Sequence, residues 1–130
     1  ARLEFAKRNY QKAEALLNEI QQIPLEYTIR VKSLWLKCLY EIYQKEPSYI
    51  ELLISKTKAF EKFLYRNESL SESKRKGYLA FCKILRKLTL SQDELKVSVK
   101  AIEKIQKELN EQPYVINSSW LREKIMRIKD

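Results

Sequence analysis

One glycine and three prolines in 130 residues leave this chain almost nowhere to fold a strand back on itself. Two-residue hairpin turns depend on glycine or asparagine-glycine pairs at positive φ, and no period-two alternation of apolar and polar residues is sustained along the chain. An all-α fold is the expectation. With 45% hydrophobic and 33% charged residues, the 15.6 kDa chain can bury a core without disulfides or metal, and one domain is expected.

Helical periodicity divides the sequence. Residues 2–9 read as the end of one helix, and a second runs from about Tyr10 to Gln22 with Ala13, Leu16, Leu17 and Ile20 on one face. Pro24 breaks it. From Leu25 to Lys45 a long helix places Glu26, Arg30, Ser33, Lys37 and Glu41 on one polar stripe. Tyr27, Ile29, Val31, Leu34, Trp35, Leu36, Cys38, Leu39, Tyr40, Ile42 and Tyr43 cover the rest, so this helix is expected to be packed on two sides as the central one. Pro47 can open the next helix, which continues to about Asn67 with Tyr49, Leu52, Leu53, Phe60, Phe63 and Leu64 inward.

A Ser-rich stretch, Glu68 to Ser73, offers N-caps for a helix over about 72–90 whose apolar face is Tyr78, Phe81, Cys82, Leu85 and Leu88. Ser91 is a plausible cap for another over about 92–111, an outer helix with Leu95, Val99, Ile102, Ile105 and Leu109 in a narrow stripe. Pro113 marks a connection. Asn117, Ser118 and Ser119 can cap a last helix carrying Trp120, Leu121, Ile125, Met126 and Ile128.

Tyr10, Ala13, Leu17, Ile20 and Pro24 resemble the second half of a tetratricopeptide repeat (TPR), which sets an aromatic at the turn between two helices and a small residue three positions later. Leu36, Leu39, Tyr40, Tyr43, Tyr49, Leu52 and Ala59 occupy the corresponding places of the next unit, at a period of 39 residues against a consensus of about 34. The resemblance covers residues 2–67. The runs Phe63-Leu64-Tyr65-Arg66-Asn67, Tyr78-Leu79-Ala80-Phe81 and Trp120-Leu121-Arg122-Glu123-Lys124-Ile125 resemble the C-terminal end of large TPR-like proteins from Bacteroidota. The resemblance implies a right-handed stack of antiparallel helix pairs over residues 1–67, with residues 68–130 as a helical cap, in a fragment of a longer protein. Leu3, Phe5 and Leu17 would then form an N-terminal edge through which the fragment could self-associate.

Without histidine the chain lacks the commonest general base and the commonest transition-metal ligand, and Gly77 alone cannot build a phosphate loop. The expectation is a non-enzyme with no cofactor and no metal. No apolar run reaches the roughly 20 residues of a membrane-spanning helix, no signal segment opens the chain, and Cys38 and Cys82 read as buried free thiols. A soluble cytoplasmic protein without membrane association fits these features.

Net charge is +9, most of it in the second half, and the segment from Ser73 to Gln92 holds Lys74, Arg75, Lys76, Lys83, Arg86 and Lys87 with no acidic residue. Arg75, Lys76, Lys83, Arg86 and Lys87 share a face and form the candidate basic patch. Lys96, Lys100, Lys104 and Lys107 line a second stripe, where Glu103 and Lys107 are spaced as an ordinary helical pair. The readings of the patch are a solvated face, an acidic protein segment as partner, or nucleic acid held without specificity. Tyr27, Trp35, Tyr40 and Tyr43 read as filler between helices rather than ligand contacts. Because related repeats bind peptides on the inner surface of the stack, Arg30, Lys37 and Glu41 are the candidate partner-binding residues, and a protein-interaction scaffold is the favoured function. A basic helical domain binding nucleic acid, or a purely structural cap, is the alternative.

Overall fold

The structure, a computed structural model, describes residues 2–19, 24–92 and 99–129, with the side chains of residues 2–6 and 17–19 left outside the description. Every element among the described residues is helical: α1 (Arg2–Glu19), α2 (Leu25–Lys45), a short 3-10 turn (Pro47–Tyr49), α3 (Ile50–Arg66), α4 (Glu72–Gln92), α5 (Val99–Glu111) and α6 (Ser118–Lys129). No helix among them is long and apolar enough to cross a membrane. Two compact units divide after Tyr49, and within the second α3 packs against α4.

In the first unit α1 and α2 pair. The expected break at Asn9 is absent, since neither Pro, Gly nor a cap interrupts there, and Tyr10 lies within α1 rather than at a turn. Its buried ring meets Trp35 of α2 edge-on, with centroids 5.1 Å apart. Pro24 caps α2 with extended backbone and accepts the amides of Tyr27 and Thr28 at 3.0 and 3.2 Å. At the other end Glu46 is extended, as the residue before a proline must be, and its amide closes on Ile42 O at 2.8 Å. Pro47 therefore opens a 3-10 turn before α3 rather than α3 itself.

Helix α2 is not packed all round. Ile29, Ser33, Trp35, Leu36, Leu39, Tyr40, Ile42 and Tyr43 are buried along about half its circumference. Tyr27, Leu34 and Cys38 face out, against the expectation that they are buried, because all three fall on the side opposite that arc. Ser33 sits at the edge of the polar stripe nearest the arc and is buried with it. Leu3, Phe5 and Leu17, the expected self-association edge, lie outside the described side chains, as do Ile20, Leu95 and Lys96.

The second unit is organised on α4, which packs against α3, α5 and α6 and so takes the central role that the sequence suggested for α2. Leu53, Phe60 and Leu64 of α3, Phe81, Cys82, Ile84, Leu85 and Leu88 of α4, and Ile102, Ile105 and Leu109 of α5 are buried in this unit, where α4 packs against both α3 and α5. Leu121 and Ile125 of α6 are fully buried, whereas Met126 and Val99 are exposed despite their apolar type. Buried hydroxyls satisfy themselves within their own helices: Thr57 donates to Leu53 O at 2.7 Å and Thr89 to Leu85 O at 2.8 Å. Ser91 belongs to this class rather than to a cap. It lies inside α4 and donates to Leu88 O at 2.8 Å.

The turn between α3 and α4 is fixed by its polar residues. Asn67 Nδ2 donates to Phe63 O at 2.7 Å, Ser71 accepts the amide of Lys74 on its Oγ at 3.3 Å, and Leu70 is buried beneath. Arg75 reaches back across the turn, donating from Nε to Leu64 O at 2.9 Å and from Nη2 to Asn67 O at 2.6 Å, while Nη1 pairs with Glu72. Its guanidinium satisfies the Leu64 carbonyl in the last turn of α3 and shares the Asn67 carbonyl, just past that helix, with the amide of Leu70. So Arg75 ties the α3–α4 pair together.

Candidate interaction surface

Four of the five residues of the basic patch are engaged with neighbours, because loops the wheel cannot see bring acidic partners over them. Arg75 closes the turn as above, with 13% of its side chain exposed. Arg86 of α4 pairs with Glu61 of α3, its Nη2 donating to Oε2 at 3.1 Å. Its Nε approaches Oε1 to 2.7 Å as an ion pair, but the N–H points away, so those two buried atoms form no hydrogen bond. Lys83 and Lys87, at 3.4 and 2.6 Å, straddle the Glu108 carboxylate of α5. Lys76 is exposed and has no acidic partner among the described residues. In the second stripe Lys107 turns to Glu111 at 3.9 Å instead of Glu103.

The Lys87 hydrogen bond, reinforced by Lys83, holds Glu108 below the usual carboxylate range. A carboxyl depressed on folding stabilises the native state above its unfolded pKa, and that contribution is lost as pH falls through the folded one. The α4–α5 pair should therefore loosen as the pH falls into the acid range in which this carboxylate is protonated, and Glu108→Gln should lose about 1 kcal/mol at neutral pH. Urea midpoints at neutral and acid pH check this: the wild-type advantage over Glu108→Gln should shrink as pH falls, and an advantage that does not change with pH would contradict the pairing.

A groove of about 790 Å³ runs across α4 in the second unit. Leu79 and Ala80 form its floor, Lys76 and Lys83 its basic rim, the Glu61–Arg86 pair one end, and Tyr65 and Tyr114 its walls. A shallower extension over Tyr65, Lys76 and Leu79 reaches Glu68, Glu72 and Arg75. Tyr65 is 66% and Tyr114 50% exposed.

Gly77 makes one wall possible. It is buried in α4, its carbonyl accepts the amide of Ile116 at 3.2 Å, and a Cβ there would lie 2.6 and 2.7 Å from two ring carbons of Tyr114. The absence of a side chain lets the α5–α6 connection lie against α4 with Tyr114 upright beside the groove. Asn117 then turns the chain into α6 at φ 59°, a left-handed conformation asparagine tolerates. A lone glycine inside a helix costs about 1 kcal/mol against alanine, which is itself the sequence signal of a close approach.

Of the sequence-derived candidates, the groove gathers Lys76, Lys83 and Arg86, while Arg75 lines its extension and Lys87 stands outside it. Arg30, Lys37 and Glu41 belong to the first unit, on one flank of α2, with Arg30 exposed and the other two half-buried. A second, more apolar depression of about 710 Å³ lies over Ile50, Ile54, Lys58, Ala59, Lys62 and Leu90. Among the described residues no three His, Cys, Asp or Glu side chains come together as metal ligands. No family model matches the chain, and comparison with curated proteins and with solved structures yields no match.

Proposed function

We propose that this chain is a non-catalytic helical-repeat module that holds a protein partner, and that the groove across α4 is where it does so. The observation that carries the proposal is the pair of half-exposed tyrosines, Tyr65 and Tyr114, standing over an apolar floor. Tyrosine is favoured at protein interfaces because it supplies a large contact area, with a polar tip, at low entropic cost. A stack of antiparallel helix pairs resembling TPRs, closed by the last helices, is the architecture this reading carries, supported by the short-looped α3–α4 pair and by α1 against α2. The same reading puts the module in the cytoplasm, where its two free cysteines stay reduced.

Nucleic acid is the weaker alternative, since four of the five patch cations are already held by carboxylates or carbonyls. Selection of an unbiased displayed library of short peptides against the chain tests the proposal. Enriched peptides should lose about tenfold in affinity when Tyr65 and Tyr114 are both replaced by alanine. Failure to enrich any peptide, or enriched peptides indifferent to both substitutions, would contradict it.

A further inference from the structure

The rim of the groove has a charge pattern that its walls and floor do not require. Lys76 and Lys83 are seven residues apart on α4, which places them on one side of the helix about 10.5 Å apart along its axis. Leu79 and Ala80 lie between them and line the same groove. Lys76 has no acidic partner among the described residues, and Lys83 shares Glu108 with Lys87, the nearer of the two at 2.6 Å against 3.4 Å. One cation is thus fully available and the other only loosely held, at either side of an apolar floor.

Resting on the reading just given, we infer that the groove takes an extended acidic segment of a partner protein, with two carboxylates about three residues apart on either side of an apolar side chain. An extended chain in the polyproline II conformation advances about 3.1 Å per residue and returns a side chain to the same face every third residue, so two carboxylates three residues apart match the axial spacing of the two lysines. The carboxylates meet Lys76 and Lys83, the apolar side chain rests on Leu79 and Ala80, and Tyr65 and Tyr114 close on the backbone from the sides. Complementary charge of this kind sets selectivity and speeds encounter more than it raises affinity. A nucleic-acid strand fits less well: it carries a negative charge at every nucleotide, whereas the groove and its extension also hold Glu61, Glu68 and Glu72.

Two labelled peptides test the inference by fluorescence anisotropy against the whole chain. One has the sequence Ser-Gly-Glu-Leu-Pro-Glu-Gly-Ser, and the other is identical with glutamine for both glutamates. The acidic peptide should bind about tenfold more tightly at low salt, with the ratio shrinking as salt rises. Lys76→Glu should abolish the ratio. Its side chain is exposed and unpaired, so the variant should fold normally by circular dichroism. Gly77→Ala should weaken both peptides alike, because the new methyl group displaces the Tyr114 ring from the wall while α4 gains helix propensity. Equal binding of the two peptides, still lost on Tyr65→Ala, would overturn the acidic preference and leave the protein-binding reading standing. Absence of binding by either peptide, or tighter Lys76-dependent binding of a single-stranded oligonucleotide, would overturn the inference.

Discussion

Replacing Phe81 by alanine should destabilise the chain by about 3–5 kcal/mol, the cost of removing a buried aromatic ring and leaving its cavity. Phe81 has no exposed surface, and its ring meets Trp120 of α6 edge-on with centroids 6.3 Å apart. It is the point where the central helix of the second unit holds the last one, so the change removes core packing and the α4–α6 contact together. Against a total stability of about 5–15 kcal/mol that is a large fraction. The thermal midpoint should fall by at least about 12 °C. Tyr65→Ala, on an exposed ring, should stay within about 0.5 kcal/mol of wild type and serves as the control. Denaturant titration of both variants decides the matter; a Phe81→Ala loss no larger than the control would show that α4 does not organise this unit.

The two cysteines should differ in reactivity towards a thiol reagent by at least about a thousandfold, since a buried group reacts only through opening events that cost a large share of the folding free energy. Cys82 has no exposed surface, and burial, with the nearby Glu61 charge adding to it, pushes its thiol pKa up against the weaker pull of Arg86. Cys38 is exposed on the outer side of α2. Because only the thiolate attacks, both effects slow Cys82. Stopped-flow labelling should show one fast and one very slow thiol. Cys38→Ser should remove the fast phase and Cys82→Ser the slow one, and equal rates would contradict the burial described above.

The Cys38 result shows where sequence reading runs out. The wheel of α2 correctly ranks Ile29, Trp35, Leu36, Leu39 and Tyr40 as core, because their spacing keeps them within one arc. It cannot tell that Tyr27, Leu34 and Cys38 are exposed on the opposite side, since an apolar residue has the same periodicity on either side of a helix. In α3 and α4 Leu53, Phe60, Leu64, Phe81, Cys82, Leu85 and Leu88 are buried and Ser71 supplies a cap within the segment expected to hold one, whereas Leu52, expected inward, is exposed.

The groove was legible only in part. Lys76, Lys83 and Arg86 stand out in a stretch of α4 that lacks acidic residues, but Glu61 and Glu108, which pair with Arg86, Lys83 and Lys87, come from α3 and α5 across loops. Arg75 looks like a surface cation on the wheel and acts instead as a tie between helices, a role fixed by the turn at Asn67. Tyr65 falls outside the apolar stripe of α3 and Tyr114 lies in a connection between helices, so their partnership depends on a fold-level approach. Its one trace in the sequence is the glycine between Lys76 and Tyr78.

The occupancy of that groove is most directly tested by following backbone amide resonances of the chain while the acidic peptide is added. The account predicts saturable shifts confined to the end of α3 around Tyr65, to α4 between Ser73 and Arg86, and to the α5–α6 connection around Tyr114, with little movement at Arg30, Lys37 or Glu41. Shifts centred on α2, or spread evenly over the lysine-rich outer face of α5 at Lys100, Lys104 and Lys107, would contradict it.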